Sequence, residues 1–122
     1  MKSNLFSPAK LLKIVAPLAV VALLGVSASA FAEVDADAAM ALAKKNDCFK
    51  CHAIDKTKKG PAYKKVAAKY KGKTAEGEEK ILKNITTGPK VKLEDGTEEE
   101  HKIIDSKDPK AIKNLIDWIL SQ

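Results

Sequence analysis

The sequence predicts an all-α fold wrapped around something that is not polypeptide. Three observations lead there. Apolar residues recur at helical spacing in four separate segments, and no stretch reads as a strand. The connections between those segments are long and irregular. The part that folds is also small and poor in aromatics, and a domain of that size often needs a metal, a disulfide or a cofactor to complete its core.

The first 32 residues stand apart from the fold as a cleaved secretory signal peptide. Lys2, Lys10 and Lys13 form a positive start, and Ile14 to Val26 is an uncharged, mostly apolar stretch with Pro17 inside it. Ala30-Phe31-Ala32 fits a small-residue cleavage site. A cut after Ala30 is the other candidate, and an uncleaved anchor is the alternative reading; the stretch falls short of the roughly 20 residues that span a bilayer, so no stable membrane insertion is expected. Cleavage after Ala32 leaves residues 33–122, a single domain whose aromatics are Phe49, Tyr63, Tyr70 and Trp118.

Each helix has its own punctuation. The first is expected over about Asp37 to Asn46, with Asp35 or Asp37 as cap and Met40 and Ala43 one turn apart. The second opens at Gly60-Pro61, with proline in the first helical position. Tyr63, Val66, Ala67 and Tyr70 make its apolar stripe, and it stops near Gly72. The third runs from about Ala75 to Thr86, with Ile81, Leu82 and Ile85 inward, and ends at Gly88-Pro89. The last has Asp108 as cap and Pro109 as its start. Its apolar face is Ile112, Leu115, Ile116, Ile119 and Leu120, flanked by Trp118. Between Pro89 and Lys107 the pattern weakens. Asp95-Gly96 reads as a turn, and Thr97 with Glu100 as a capping box for a short helix carrying His101 to Ile104.

Every basic residue is lysine. The formal charge of +6 falls to +3 without the three leader lysines, 19 Lys against 16 Asp+Glu. The charge is uneven. Residues 44–73 hold eleven lysines against Asp47 and Asp55, a balance of +9, while 33–43 and 74–122 each carry −3. Such a sector steers acidic partners, although a solvated lysine surface would look the same in sequence. Nucleic acid is not expected as a partner, given the export signal, the lack of arginine and the scarcity of stacking aromatics.

Within that sector lies Cys48-Phe49-Lys50-Cys51-His52, both cysteines of the chain and one of its two histidines. C-x-x-C-H is the spacing for covalent c-type haem attachment. Two thiols add to the porphyrin vinyl groups, and the adjacent histidine becomes the proximal iron ligand. Three other uses of the pair remain open at this level. They are a dithiol redox site without its usual βαβ setting, a zinc site made by Cys48, Cys51, His52 and His101, and a plain disulfide.

With these residues in view, the chain from about Asp37 to Gln122 resembles the small monohaem class I cytochromes c of bacteria. The resemblance is strongest at CHAID, GPAYKKVAAKYKG and LIDWILSQ. It implies an all-α helical wrap around one covalently attached haem c with its iron, in a periplasmic carrier of single electrons rather than an enzyme. Cys48 and Cys51 match the thioether cysteines and His52 the proximal ligand. Pro61 matches the proline whose carbonyl orients that imidazole. Trp118 lies in the helix matching the one that packs on the N-terminal helix. The lysine-rich sector 44–73 beside the motif is the candidate docking face for acidic redox partners, and at this size a monomer is the default, free or as a subunit of a redox complex.

One feature departs from the family. Its sixth ligand is a methionine, and here the methionines are Met1, in the leader, and Met40, in the first helix and expected in the core. At the family's methionine position stands His101, 49 residues after His52 and 17 before Trp118. Ligation by His52 and His101, at a lower potential than His/Met relatives, is the resulting expectation. If His101 is instead a solvated residue of its acidic run, the sixth site is left to water, to Lys90, Lys92 or Lys102, or open. The chain would then be a small-ligand-binding or catalytic haem protein.

Overall fold

The computed structural model describes residues 33–122; the leader assignment, residues 1–32, lies outside them. Local signals set most helix ends. Helix α1, Ala36–Lys45, starts where the Asp35 carboxylate accepts from the Ala38 amide at 2.9 Å. Asp37 near its start and Lys44 and Lys45 at its end match the helix dipole. A single turn, α2, covers Cys48–Cys51. Then come α3, Tyr63–Lys69, and α4, Thr74–Thr87, which stops at Gly88 in the left-handed region with φ 58°. Helix α5, Pro109–Leu120, opens with its proline while Asp108 accepts from the Lys110 amide at 3.0 Å.

Packing centres on α5, which lies against α1, α3 and α4. Its Leu115, Ile116, Trp118 and Ile119 are buried, with Leu115 only 1% exposed. Ala39 and Ala43 of α1 are buried too, and side chains that small let helices approach closely. Asn114 ties the start of α1 to α5. Its amide accepts from the Asp35 N–H at 2.9 Å and donates to the Asp35 carbonyl at 2.8 Å. Met40 packs against this core, as expected from the sequence.

Three expectations need correction. Trp118 does not flank the core but sits in it, 4% exposed, edge-on to Tyr63 and Phe49. Leu82 does not face inward: Ile81 and Ile85 do, leaving Leu82 43% exposed on the other side of α4. The second helix starts at Tyr63, not at Pro61, because the chain through Pro61 stays extended to serve the site below.

The segment after Pro89 also departs from its expectation. It forms a two-stranded antiparallel hairpin, β1 (Lys90–Lys92) and β2 (Glu98–Glu100), in place of a short helix. Lys90 faces Glu100 and Lys92 faces Glu98, so opposite charges meet across the strands. The Leu93 amide donates to the Thr97 carbonyl at 2.7 Å, and in the three-residue loop 94–96 that this closes, Gly96, with φ 86°, provides the required left-handed position. The Asp95 carboxylate accepts from the Thr97 amide at 2.9 Å and its hydroxyl at 2.6 Å. Thr97 is thereby used in the turn and cannot cap a helix. The fold remains mainly helical, with this hairpin as its one sheet among the described residues.

Candidate functional site

The site begins where α1 ends. Asp47 takes a left-handed conformation, φ 55°, and starts the turn that carries the two thiols. Cysteines three apart on one helical turn lie on one face, so both sulfurs reach the same neighbour. Both are free thiols in this structure. The His52 amide donates to the Cys48 carbonyl at 2.9 Å, and His52 itself is extended, φ −118° and ψ 156°. The histidine thus leaves the turn as it closes.

A loop folds back beneath His52. The Gly60 amide donates to the Cys51 carbonyl at 2.8 Å, Tyr63 N–H to Ala53 at 2.9 Å and Lys64 N–H to Ile54 at 2.9 Å. These bonds bring the Pro61 carbonyl to 2.7 Å from His52 Nδ1. A carbonyl only accepts, so Nδ1 carries the proton and Nε2 keeps its lone pair. Burial holds the His52 pKa below the ordinary imidazole range, against the Pro61 bond, so the neutral, metal-binding form is favoured. Gly60 is required by space: a Cβ there would lie 2.6 Å from His52 Cε1. On the other side the Tyr63 ring stacks on the imidazole, centroids 5.2 Å apart and planes 20° apart. Burial pushes the Tyr63 phenol well above its ordinary range and keeps it neutral.

His101 comes to the same place from the far end of the chain. It follows β2 directly, in an extended strap. Its amide donates to the Pro89 carbonyl at 2.9 Å, and the Ile104 amide donates to Ile85 at 2.9 Å. Gly88 lets the strap come close, since a Cβ there would lie 2.8 Å from the His101 carbonyl oxygen. His101 Nδ1 sits 3.0 Å from the Lys102 carbonyl, which leaves its Nε2 lone pair free as well. The two imidazole rings are 6.2 Å apart between centroids, with planes at 42°.

Between them lies a cavity of ≈ 460 Å³, within the roughly 300–1,000 Å³ of small-molecule and cofactor sites. Cys48, Cys51, His52 and His101 all line it, and Val66, Ile81, Ile85, Leu115 and Ile119 give it apolar walls. Asn84 Oδ1 is buried without a hydrogen-bond partner, a polar atom left for something inside the cavity. Burial pushes the Cys48 thiol up, which disfavours the thiolate that zinc needs and does not oppose a neutral thioether. No group of three or more His, Cys, Asp or Glu among the described residues converges as an ion site would. Thiols on one wall, free imidazole nitrogens and apolar sides fit a haem.

The sequence-predicted residues Cys48, Cys51, His52, Pro61 and His101 are therefore brought together. Sequence reasoning missed Gly60 and Tyr63 as parts of the site. The Gly60-Pro61 pair carries a signal, but in sequence it marks a helix start equally well, and Tyr63 sits on an apolar stripe that signals core. Around the mouth, Lys65, Lys69, Lys80, Lys92 and Lys102 outnumber Asp47, Glu99 and Glu100. The lysine-rich rim thus draws on residues on both sides of the predicted sector's C-terminal limit.

Comparison with known proteins agrees with this geometry. The family model for cytochrome c matches residues 36–122. Cytochrome c-552 of Nitrosomonas europaea is 35% identical over 101 residues, covering 75% of this chain and 81% of the relative. Cytochrome c-551 of Allochromatium vinosum is 41% identical over 49 residues, covering 40% of this chain and 52% of the relative. Among solved structures, the class 1 cytochrome MtoD from Sideroxydans lithotrophicus ES-1 is 61% identical with a TM-score of 0.67, over 72% of this chain and 96% of that one. Wild-type Nitrosomonas europaea cytochrome c552 gives 30% identity and a TM-score of 0.51, over 67% and 96%. The chain belongs to the cytochrome c family, as a small class I c-type cytochrome, an electron carrier with a covalently attached haem c.

Proposed function

We propose that this cytochrome is a periplasmic carrier whose iron is held by His52 on one side and His101 on the other. One observation carries the reading: two imidazoles, each with Nδ1 engaged by a carbonyl and Nε2 free, stand 6.2 Å apart across the cavity. Metal–imidazole bonds of about 2.0–2.1 Å would put two opposed rings about 6.3 Å apart between centres. Residues 1–32 direct export and are removed, and attachment to Cys48 and Cys51 follows outside the cytoplasm.

The haem supplies a one-electron couple. The chain supplies a fixed pair of nitrogen ligands, with Pro61, Gly60 and Tyr63 holding one and the 101–105 strap the other. A thioether ligand raises the potential in His/Met cytochromes, so imidazole in its place lowers it. With both ligands retained in both oxidation states, little moves when the electron does. The lysines at the mouth form the docking face for acidic redox partners.

Visible spectra of the matured protein test the reading, oxidised and reduced, with and without carbon monoxide. The expected result is a low-spin spectrum without a methionine–iron band, unmoved by carbon monoxide, and a potential below that of His/Met relatives. A high-spin ferric form, or rapid carbon monoxide binding, would remove His101 as ligand and favour a small-ligand-binding or catalytic haem protein.

A further inference from the structure

Three consecutive residues just before the first thiol reach across to the strap that carries His101. Lys45 Nζ lies 3.5 Å from the Asp105 carboxylate, and Lys102 Nζ lies 3.0 Å from that of Asp47. Both pairs are exposed, and such pairs hold little in water. The middle contact is different. Asn46 is 2% exposed, a buried polar residue beside an apolar core. Its amide oxygen accepts from the Asp105 backbone N–H at 2.6 Å, across 59 residues of sequence. Its amide nitrogen donates to the Leu42 carbonyl at 2.9 Å.

Capping α1 does not account for this arrangement. The Asn46 backbone N–H already bonds the Leu42 carbonyl, at 3.1 Å, as any residue there could. Burying a primary amide is costly unless its groups are satisfied. What the side chain adds is the bond to Asp105. On the α4 side the strap is fixed through Pro89 and Ile85. On the thiol side Asn46 is its buried attachment.

Resting on the reading that His101 binds iron, we propose that Asn46 is the positioning residue of the sixth site. Its amide oxygen pins the Asp105 N–H, and through it the strap, so that His101 stays on the iron against external ligands. The strap has to open before an outside ligand enters, so apparent ligand binding follows the open fraction. Losing one buried hydrogen bond raises that fraction about tenfold.

The test uses the haem-loaded protein and its Asn46→Ala, Asn46→Asp and His101→Ala variants. Carbon monoxide is mixed with each reduced protein, and ferric spin state and melting are read alongside. Asn46→Ala is expected to bind carbon monoxide about tenfold faster than wild type and to gain high-spin character. Asn46→Asp keeps an oxygen for the Asp105 amide but loses the donor to Leu42, so it is expected to melt lower while binding carbon monoxide closer to the wild-type rate than Asn46→Ala. If Asn46→Ala melts lower but binds carbon monoxide at the wild-type rate, Asn46 is only a cap and the proposal fails. If wild type already binds as fast as His101→Ala, the ligation reading fails instead, and the proposal with it. Should Asn46→Ala not mature, hydrogen exchange on wild type decides. The Asp105 amide is expected to be protected and to lose protection once cyanide takes the sixth site; exchange as free as that of an exposed loop amide would overturn the proposal.

Discussion

Gly60 carries a constraint out of proportion to its size. A methyl group there would sit 2.6 Å from His52 Cε1 and 3.0 Å from Nδ1. The ring is backed by Tyr63 and held by Pro61, so it has no free direction in which to yield. Gly60→Ala is expected to cost about 1–3 kcal/mol of stability and to disturb the proximal ligand field. Thermal melting and the visible spectrum of the matured variant check both. Gly60 and Tyr63 show why local reading stops short of the site. Glycine before proline signals a turn or a helix start with equal force, and a tyrosine at helical spacing signals core. The C-x-x-C-H motif was legible because its chemistry lies within five adjacent positions. The Pro61 carbonyl was legible only through family resemblance.

Among the elements, the hairpin is the part least legible beforehand. Its evidence was present in the sequence: Lys-Val-Lys facing Glu-Glu-Glu across Asp-Gly. The same Thr97 and Glu100 also satisfy a capping box, and the pairing that decides between them spans ten positions, Lys90 to Glu100. Side-chain bonds from Thr97 to Asp95 settle it for the turn. The hairpin delivers His101 at its end, so an error in that element would displace the proposed sixth ligand. In the proposed docking face the lysines lining the cavity act together and not singly. Neutralising Lys65, Lys69 and Lys80 to glutamine is expected to slow reduction of an acidic partner about tenfold at low salt and to flatten the salt dependence. Stopped-flow rates across ionic strengths measure this; unchanged rates would place docking elsewhere.

For the whole molecule, the helical class and the role of α5 were legible because α5 has clear punctuation and a broad apolar face. The inward position of Trp118 was not, because it depends on the aromatic cluster with Tyr63 and Phe49. Leu115→Ala is expected to destabilise the haem-loaded protein by about 2–5 kcal/mol, since the side chain is 1% exposed and lines the cavity. Denaturant unfolding provides the number.

Helix α5 follows every other described element, and that order bears on assembly. Leu115, Ile116, Trp118 and Ile119 close a core whose other members precede them by at least 11 residues, from Ile104 back to Ala39. In the export proposed above, which runs from the N-terminus, Cys48, Cys51 and His52 are delivered long before these four. Until the final 12-residue helix arrives, the thiols stand in an unclosed groove that a bulky macrocycle can enter sideways. Closure then seals in what has been attached. Maturation of a chain ending before Pro109 is expected to yield protein with covalent haem but an exposed, poorly ordered iron site, and a failure to acquire haem at all would show that α5 must be present for loading.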